Sequence, residues 1–498
     1  MQSAKINLLA NYLGRVCSGA ITVLLVPIYI RLMGIEAYGV VGLYLSLLAI
    51  FALLDLGLSA VVTRELAAVE QRQAPSQRAS DLVYTLQFVY WAVTGAIAAG
   101  LALSASWLAE NWLTTASLPV SEVRSALVFM GFTIAGHMLF GFYSAGLLGL
   151  QRHVAANMIN VCFVIFRNIG ALLALCLVRP SITVFFAWQA ISVFIGVAVA
   201  STAMRRYMPT GTPTLRPRLL QDLWLFAAGT ASASFSFVLV HQTDKALLSR
   251  MLSLQEFGYY AFAGVTVGIM QYLSSPIFAT FFSAFSRKVA LGQHTELVLQ
   301  YHRASQVMAV VLVPAGAMLV CFAEPLLHLW TGDAELAAQV ASLTALLGLG
   351  MTLHTLTTLA YSVQLAYGWT SLTVSANAVL SVVLASSILQ LVPRFGAIAA
   401  AAVWASLNAV HLIGSVWVMH RRILKGEMRS WFVKDVLPPI AAVLAVSLLV
   451  RLAAPETNTR LGALVWLTCV YLAMLLAAAF VAPVTRGLIL ELIRRARS

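Results

Sequence analysis

Long apolar runs separated by short polar breaks recur along the whole chain. Each run is continuous over roughly 20 residues, the length a helix needs to cross hydrocarbon. The runs do not alternate with a period of two, as the strands of a membrane barrel do. The pattern predicts spans at 8–30, 38–62, 82–107, 124–149, 154–178, 181–203, 221–243, 257–283, 304–326, 336–360, 370–392, 396–419, 435–453 and 461–482. The expected fold is therefore an all-α integral membrane protein of about fourteen transmembrane helices, since backbone groups in lipid must be satisfied within the segment. The first run is long and lacks an A-x-A cleavage site, so it is expected to remain as the first helix. The longest polar stretches, near 64–81, 204–220, 284–303 and 420–434, are too short for a separate domain. Function must reside in the bundle.

Composition agrees with this reading. Of 498 residues, 61% are hydrophobic and 10% charged, against about a quarter charged in soluble domains. The net charge of +13 does not point to nucleic acid, because the basic residues lie between the apolar runs. With the N-terminus cytoplasmic, 21 of the 31 Lys and Arg fall in inside segments and 8 in outside ones, with Arg15 and Arg167 within spans. Positive charge stays on the cytoplasmic side, so both termini are expected inside. Cys17, Cys162, Cys176, Cys321 and Cys469 all lie in apolar runs without a CxxC pair. They read as small buried hydrophobes.

An internal repeat is visible. Residues 31–40, RLMGIEAYGV, match residues 250–259, RMLSLQEFGY, aligning Arg31 with Arg250 and Gly39 with Gly258. Residues 154–157, VAAN, match residues 374–377, VSAN, at nearly the same offset. Six spans separate the copies, and an even number preserves orientation. The expected organisation is a six-helix lobe over 1–210 and a second over 211–430, related by a parallel repeat. Two additional helices and a basic tail follow over 431–498.

Charge within a span is costly and marks function by default. Arg15 shares a helical face with Asn11, Ser18 and Thr22; it either faces a watery cavity or snorkels to headgroups. Asp55 lies on the next helix with Ser59 and Thr63 on its face, at a depth where it could pair with Arg15. Arg167 lies mid-span with Asn157, Asn160 and Asn168 near its face, serving a cavity or a buried pair with Asp55. Further polar stripes are Thr230, Ser234, His241 and Lys245, with Asp244 beside them; His354, Thr357, Tyr361 and Gln364; and Trp404, Asn408, His411 and Ser415. Such stripes line a lumen or bond neighbouring helices. His137 is a lone histidine that reads as structural. Pro27, Pro276 and Pro314 can kink helices.

No G-x-x-x-x-G-K-[ST] and no HExxH occurs, so neither a P-loop nor a zincin-type metal site is expected, and nothing calls for a cofactor. Asp333 and Glu335 are the only closely spaced acidic pair in an expected outside loop. A membrane glycosyltransferase or polymerase would need more than this.

The stretch at 7–66 carries R-L-M-G (31–34), E-A-Y-G (36–39), D-L-G-L (55–58) and R-E-L (64–66). It resembles the opening of Wzx-type polysaccharide flippases, in the multidrug/oligosaccharidyl-lipid/polysaccharide exporter superfamily. Residues 243–263 resemble that family's seventh-to-eighth helix junction, and 149–157 its fourth-to-fifth loop. The resemblance implies two six-helix lobes around a central cavity plus two extra helices. It implies flipping of undecaprenyl-diphosphate-linked oligosaccharide units to the periplasmic leaflet for cell-surface polysaccharide such as lipopolysaccharide or exopolysaccharide. Transport would be by alternating access, coupled to a proton or sodium gradient, with a polymerase and chain-length machinery as partners. Arg15, Arg167 and Lys245 would supply a cationic cavity for the diphosphate, with Asn157, His354, Gln364 and His411 also facing substrate. Asp55, Asp244 and His241 are the coupling candidates. A lipid II flippase and a multidrug antiporter of the same superfamily are the competing cargo readings, and an enzyme is the competing class.

Overall fold

The computed structural model describes residues 19, 21–70, 76–208, 213–452 and 459–487. Among them only helices and connecting segments occur, apart from one isolated bridge between Thr114 and Ser253. Twelve described helices are long and apolar enough to cross a membrane. The expected first span appears as helix α1, Ile21–Met33. The expected seventh is the 34-residue helix α8, Arg218–Met251. The span order read from hydropathy therefore holds.

Packing groups the chain into two compact units, Met1–Gly258 and Tyr259–Ser498. In the first, α4 (Ser76–Trp107) packs on α5 (Val120–Gly149), α5 on α7 (Ile182–Tyr207), and α6 (His153–Leu177) on α7. Phe142, Phe186, Leu127 and Met130 are fully buried between these helices. In the second, α11 (His294–Cys321) packs on α13 (Ala334–Ala366), α13 on α15 (Ala397–Arg422), and α14 (Ser371–Phe395) on α15. The same scheme is thus used twice. Helices α6 and α14 are both 25 residues long, and α7 and α15 both 26. The last two helices, α17 (Leu437–Leu452) and α18 (Arg460–Val481), pack on each other and on α11. Elsewhere large apolar side chains face outward: Leu103 is 86% exposed and Leu177 80%. Lipid is the solvent that tolerates this.

Local chemistry sets the helix ends. Ser181, Asp333 and Thr459 each accept a hydrogen bond from the backbone N–H three residues on, satisfying a donor that the helix leaves free. The expected continuous span 38–62 is broken. Helix α2 (Ile35–Phe51) gives way to a 3-10 turn, Ala52–Asp55, and then Leu56 (φ 48°) and Gly57 (φ 75°) take left-handed conformations before α3 (Leu58–Glu70) begins. The D-L-G-L segment supplies both causes. Glycine permits the positive φ, and the Asp55 carboxylate bonds forward to Ser59 Oγ at 2.6 Å and Ser59 N at 3.4 Å. Pro276 and Pro314 lie inside helices that run on past them, α10 (Ile269–Ala290) and α11.

The expected lobe boundary at 210/211 lies outside the described residues. In packing terms α8 sits with α2 and α3, in the first unit. The close approach lies at the repeated glycines. A Cβ on Gly39 would stand 2.2 Å from the Leu254 carbonyl oxygen. A Cβ on Gly258, in α9 (Leu254–Val267), would stand 2.3 Å from the Ile35 carbonyl oxygen.

Candidate functional site

Arg167 is the best-defined intramembrane charge. Helix α6 presents it half-buried, with Asn168 buried beside it. Its Nη1 donates to His137 Nε2 at 2.7 Å, and the other ring nitrogen of His137 donates to the Thr133 carbonyl at 2.9 Å. The guanidinium carbon lies 5.6 Å from the Phe163 ring centroid. Trp188 Nε1 donates to the Arg167 carbonyl at 3.1 Å, and Tyr29 Oη to the Asn168 carbonyl at 2.7 Å. The helix backbone around the arginine is thus held from two sides. Tyr44 packs against His137 and Phe186, with centroid separations of 6.3 Å and 5.3 Å.

Two polar atoms here are buried without a partner among the described residues: Arg167 Nε and Tyr44 Oη. A buried donor left unsatisfied costs about 1–3 kcal/mol. No described carboxylate forms an ion pair with Arg167, so the expected alternative of a buried Arg167–Asp55 pair is not formed. His137, read from the sequence as an isolated histidine, is the acceptor that orients the guanidinium. Tyr44 was missed, because nothing in an apolar run distinguishes one tyrosine from another.

Asp55 lies at the break after α2, half-buried. Its carboxylate accepts from Ser59 and from the Tyr90 hydroxyl, and Ser59 Oγ lies 3.1 Å from Tyr90 Oη. Arg15, with Asn11 and Ser18, lies outside the described residues, as do the side chains of Thr230 and Ser234. Lys245 Nζ bonds to both carboxylate oxygens of Asp244 at 3.2 Å and to the His241 carbonyl at 2.8 Å. Lys245 and Asp244, expected in separate roles, therefore meet each other. Asn157 donates to the His153 carbonyl at 2.8 Å, within its own helix.

In the second unit the expected stripes are placed as follows. The His354 ring lies 6.5 Å from that of Trp404. Gln364 is fully buried; it accepts from Thr373 Oγ1 at 2.9 Å and approaches Ser415 Oγ at 3.5 Å, joining α13, α14 and α15. His411 is half-buried on α15. Asp333, of the acidic pair expected outside, caps α13.

Three polar clusters escaped the sequence reading. Glu36 is buried and accepts from Ala116 N at 2.6 Å and from Ser117 N at 2.9 Å. Asp81, whose side chain is fully buried, accepts from Thr214 N at 2.8 Å and pairs with Arg216 Nε at 2.9 Å. His302 joins Asp435 and Glu427. In each case the partners are far apart in sequence, so no local spacing reveals them.

A family model for a polysaccharide biosynthesis protein matches residues 28–341. A membrane protein of Bacillus subtilis, EpsK, itself uncharacterised, is 22% identical over 343 residues, 66% of this chain and 65% of that protein. The alignment thus spans just under two thirds of that relative. Among solved structures, the lipid II flippase MurJ in an inward closed conformation superposes with a TM-score of 0.74 at 11% identity, covering 97% of this chain and 99% of MurJ. An inward-facing multidrug resistance transporter of the MATE family gives 0.69 at 12% identity, over 82% of this chain and 94% of the transporter. At these identities the likeness speaks to the fold. The family model covers more than half of the chain, and the helical scheme agrees with it: this membrane protein belongs to the polysaccharide biosynthesis protein family, on the fold shared by the MurJ flippase and the multidrug exporters.

Proposed function

We propose that this protein flips an undecaprenyl-diphosphate-linked oligosaccharide from the cytoplasmic to the periplasmic leaflet, during synthesis of a cell-surface polysaccharide. The two repeat lobes, 1–210 and 211–430, would alternate access to a cationic cavity while the lipid tail stays in the bilayer. The observation that carries this reading is Arg167. Its guanidinium is oriented by a histidine, a partner that leaves the positive charge uncancelled, and its buried Nε remains without a partner among the described residues. A diphosphate supplies acceptor oxygens for that donor in a geometry suited to guanidinium, and a hydroxyl such as Tyr44 Oη can add a further bond. Family membership supports a role in polysaccharide assembly. The likeness to MurJ takes in 97% of the chain, including the last two helices, and supports a lipid-linked cargo over a small cationic drug. Lys245, whose charge Asp244 meets, adds no uncancelled cation to this lining, and Asp55 is assigned to coupling with a proton or sodium gradient.

The test is reconstitution in liposomes with a fluorescent undecaprenyl-diphosphate oligosaccharide. Wild type is expected to flip it. Arg167→Ala is expected to lose most of the rate and Arg167→Lys to keep a fraction, because an ammonium is a point charge without the bidentate fork. Wild-type flipping of lipid II alone, or export of a cationic dye with no lipid flipping, would replace this reading by one of its relatives' activities.

A further inference from the structure

The segment joining α15 to α17 carries a surface that the transport reading leaves unused. Residues 421–435 read RRILKGEMRSWFVKD. The five cations, Arg421, Arg422, Lys425, Arg429 and Lys434, are all exposed. Both acids of the segment are engaged by one histidine, Asp435 buried and Glu427 with its side chain 34% exposed. Asp435 is 1% exposed and bonds to His302 Nδ1, and Glu427 Oε2 lies 3.1 Å from His302 Nε2. Gln306 reinforces the arrangement: its Nε2 donates to Asp435 Oδ1 at 2.8 Å, and its Oε1 accepts from Val484 N at 2.9 Å. Trp431 is buried and donates to Ser305 Oγ at 3.1 Å. Its neighbours Phe432 and Val433 are each 49% exposed. One histidine on α11 therefore engages both carboxylates, burying Asp435 and tying down the partly exposed Glu427, beside a face of cations and exposed apolar side chains.

We propose that this face, 421–434, is an anionic-phospholipid binding surface, made selective by His302 engaging Glu427 and Asp435. The occupant follows from charge and geometry. Clusters of four to eight Lys and Arg next to a transmembrane helix bind anionic headgroups. The apolar Phe432 and Val433 suit the acyl boundary of a bilayer, where a soluble polyanion offers nothing to cover them. Two guanidinium groups are pre-positioned on rings: Arg421 lies 4.1 Å from the Trp417 ring centroid and Arg422 4.5 Å from that of Trp369. Tryptophan favours the headgroup level. The surface lies at the end of α15 that the charge bias assigns to the cytoplasm. The proposal holds whatever cargo the bundle carries.

Purified full-length protein in detergent is mixed with phosphatidylglycerol or with phosphatidylcholine, and retained lipid is read by native mass spectrometry. Wild type is expected to retain phosphatidylglycerol in clear preference. Replacing the five cations by Gln should weaken that retention at least tenfold, since each basic residue near an anionic surface contributes about fivefold. Removing Arg394, Arg451 and Arg460, at the opposite expected end, should leave it unchanged. H302Q should weaken retention without removing a cation of the face, and adding E427Q to H302Q should restore it. A merely structural role for His302 gives no such rescue. Equal retention of both lipids by wild type would overturn the proposal. So would unchanged retention by the five-fold variant, equal loss from the opposite-end variant, or displacement of phosphatidylglycerol by sodium pyrophosphate alone.

Discussion

Gly39 and Gly258 approach each other by exchanging equivalent contacts. The place for a Cβ on Gly39 is filled by the carbonyl of Leu254, and the place for a Cβ on Gly258 by the carbonyl of Ile35. Leu254 and Ile35 are related by the same shift in sequence as the two glycines. Residue i meets j and the copy of j meets the copy of i, as in a self-complementary interface between identical surfaces. The duplicated segment thus packs on its own duplicate.

This contact makes a direct prediction for stability. Gly39→Ala and Gly258→Ala each set a methyl against a backbone carbonyl, which no rotamer change can relieve. Each should destabilise by about 1–3 kcal/mol, the usual cost of overpacking, read as a lower melting temperature in detergent. The double variant should cost less than the sum, because one separation of the helices relieves both clashes. Wild-type melting of either single variant would refute the close approach.

Asp55 should separate coupling from folding. Asp55→Asn keeps an acceptor for Ser59 and Tyr90 but loses the ionisable group, so the purified variant should melt close to wild type. Its flipping should no longer respond to an imposed proton or sodium gradient. A response equal to wild type would remove Asp55 from the coupling role.

The segment before α8 is held by Asp81. The carboxylate takes the Thr214 N–H and hydroxyl, the Gln77 amide and Arg216 Nε. Its side chain is fully buried, whereas that of Arg216 is 58% exposed. Asp81→Ala strands several donors at once and Arg216→Ala removes one solvated partner. Limited proteolysis within 213–217 should therefore quicken strongly in the first variant and little in the second. Equal cleavage rates would show that Asp81 does not hold this segment.

Asp333 distinguishes capping from catalysis. Its side chain accepts from Leu336 N at 3.0 Å at the start of α13. Asp333→Ala should lower stability by about 0.5–2 kcal/mol, the cost of losing such a cap, with Asp333→Ser near neutral. Neither should alter the flipping rate per folded molecule. If both abolish polysaccharide assembly in cells while the protein remains folded and flips lipid, the enzyme reading returns.

Hydropathy alone determined the class and the order of the spans, because hydrocarbon demands long apolar helices whose backbone bonds are local. Residue identity, not hydropathy, pointed to the duplication, since Gly39 and Gly258 carry their constraint in their own identity. What hydropathy misread was the break at Asp55–Leu56–Gly57, which apolar neighbours conceal: Leu56 takes a positive φ that no hydrophobic pattern records. The polar network was beyond its reach for a different reason. Arg167 stood out as a charge in a span, but its acceptor His137, the orphaned hydroxyl of Tyr44 and the joining of His302 to Glu427 and Asp435 depend on distant helices coming together. A hydrogen bond is decided within about 3 Å, and helix packing alone brings such atoms that close.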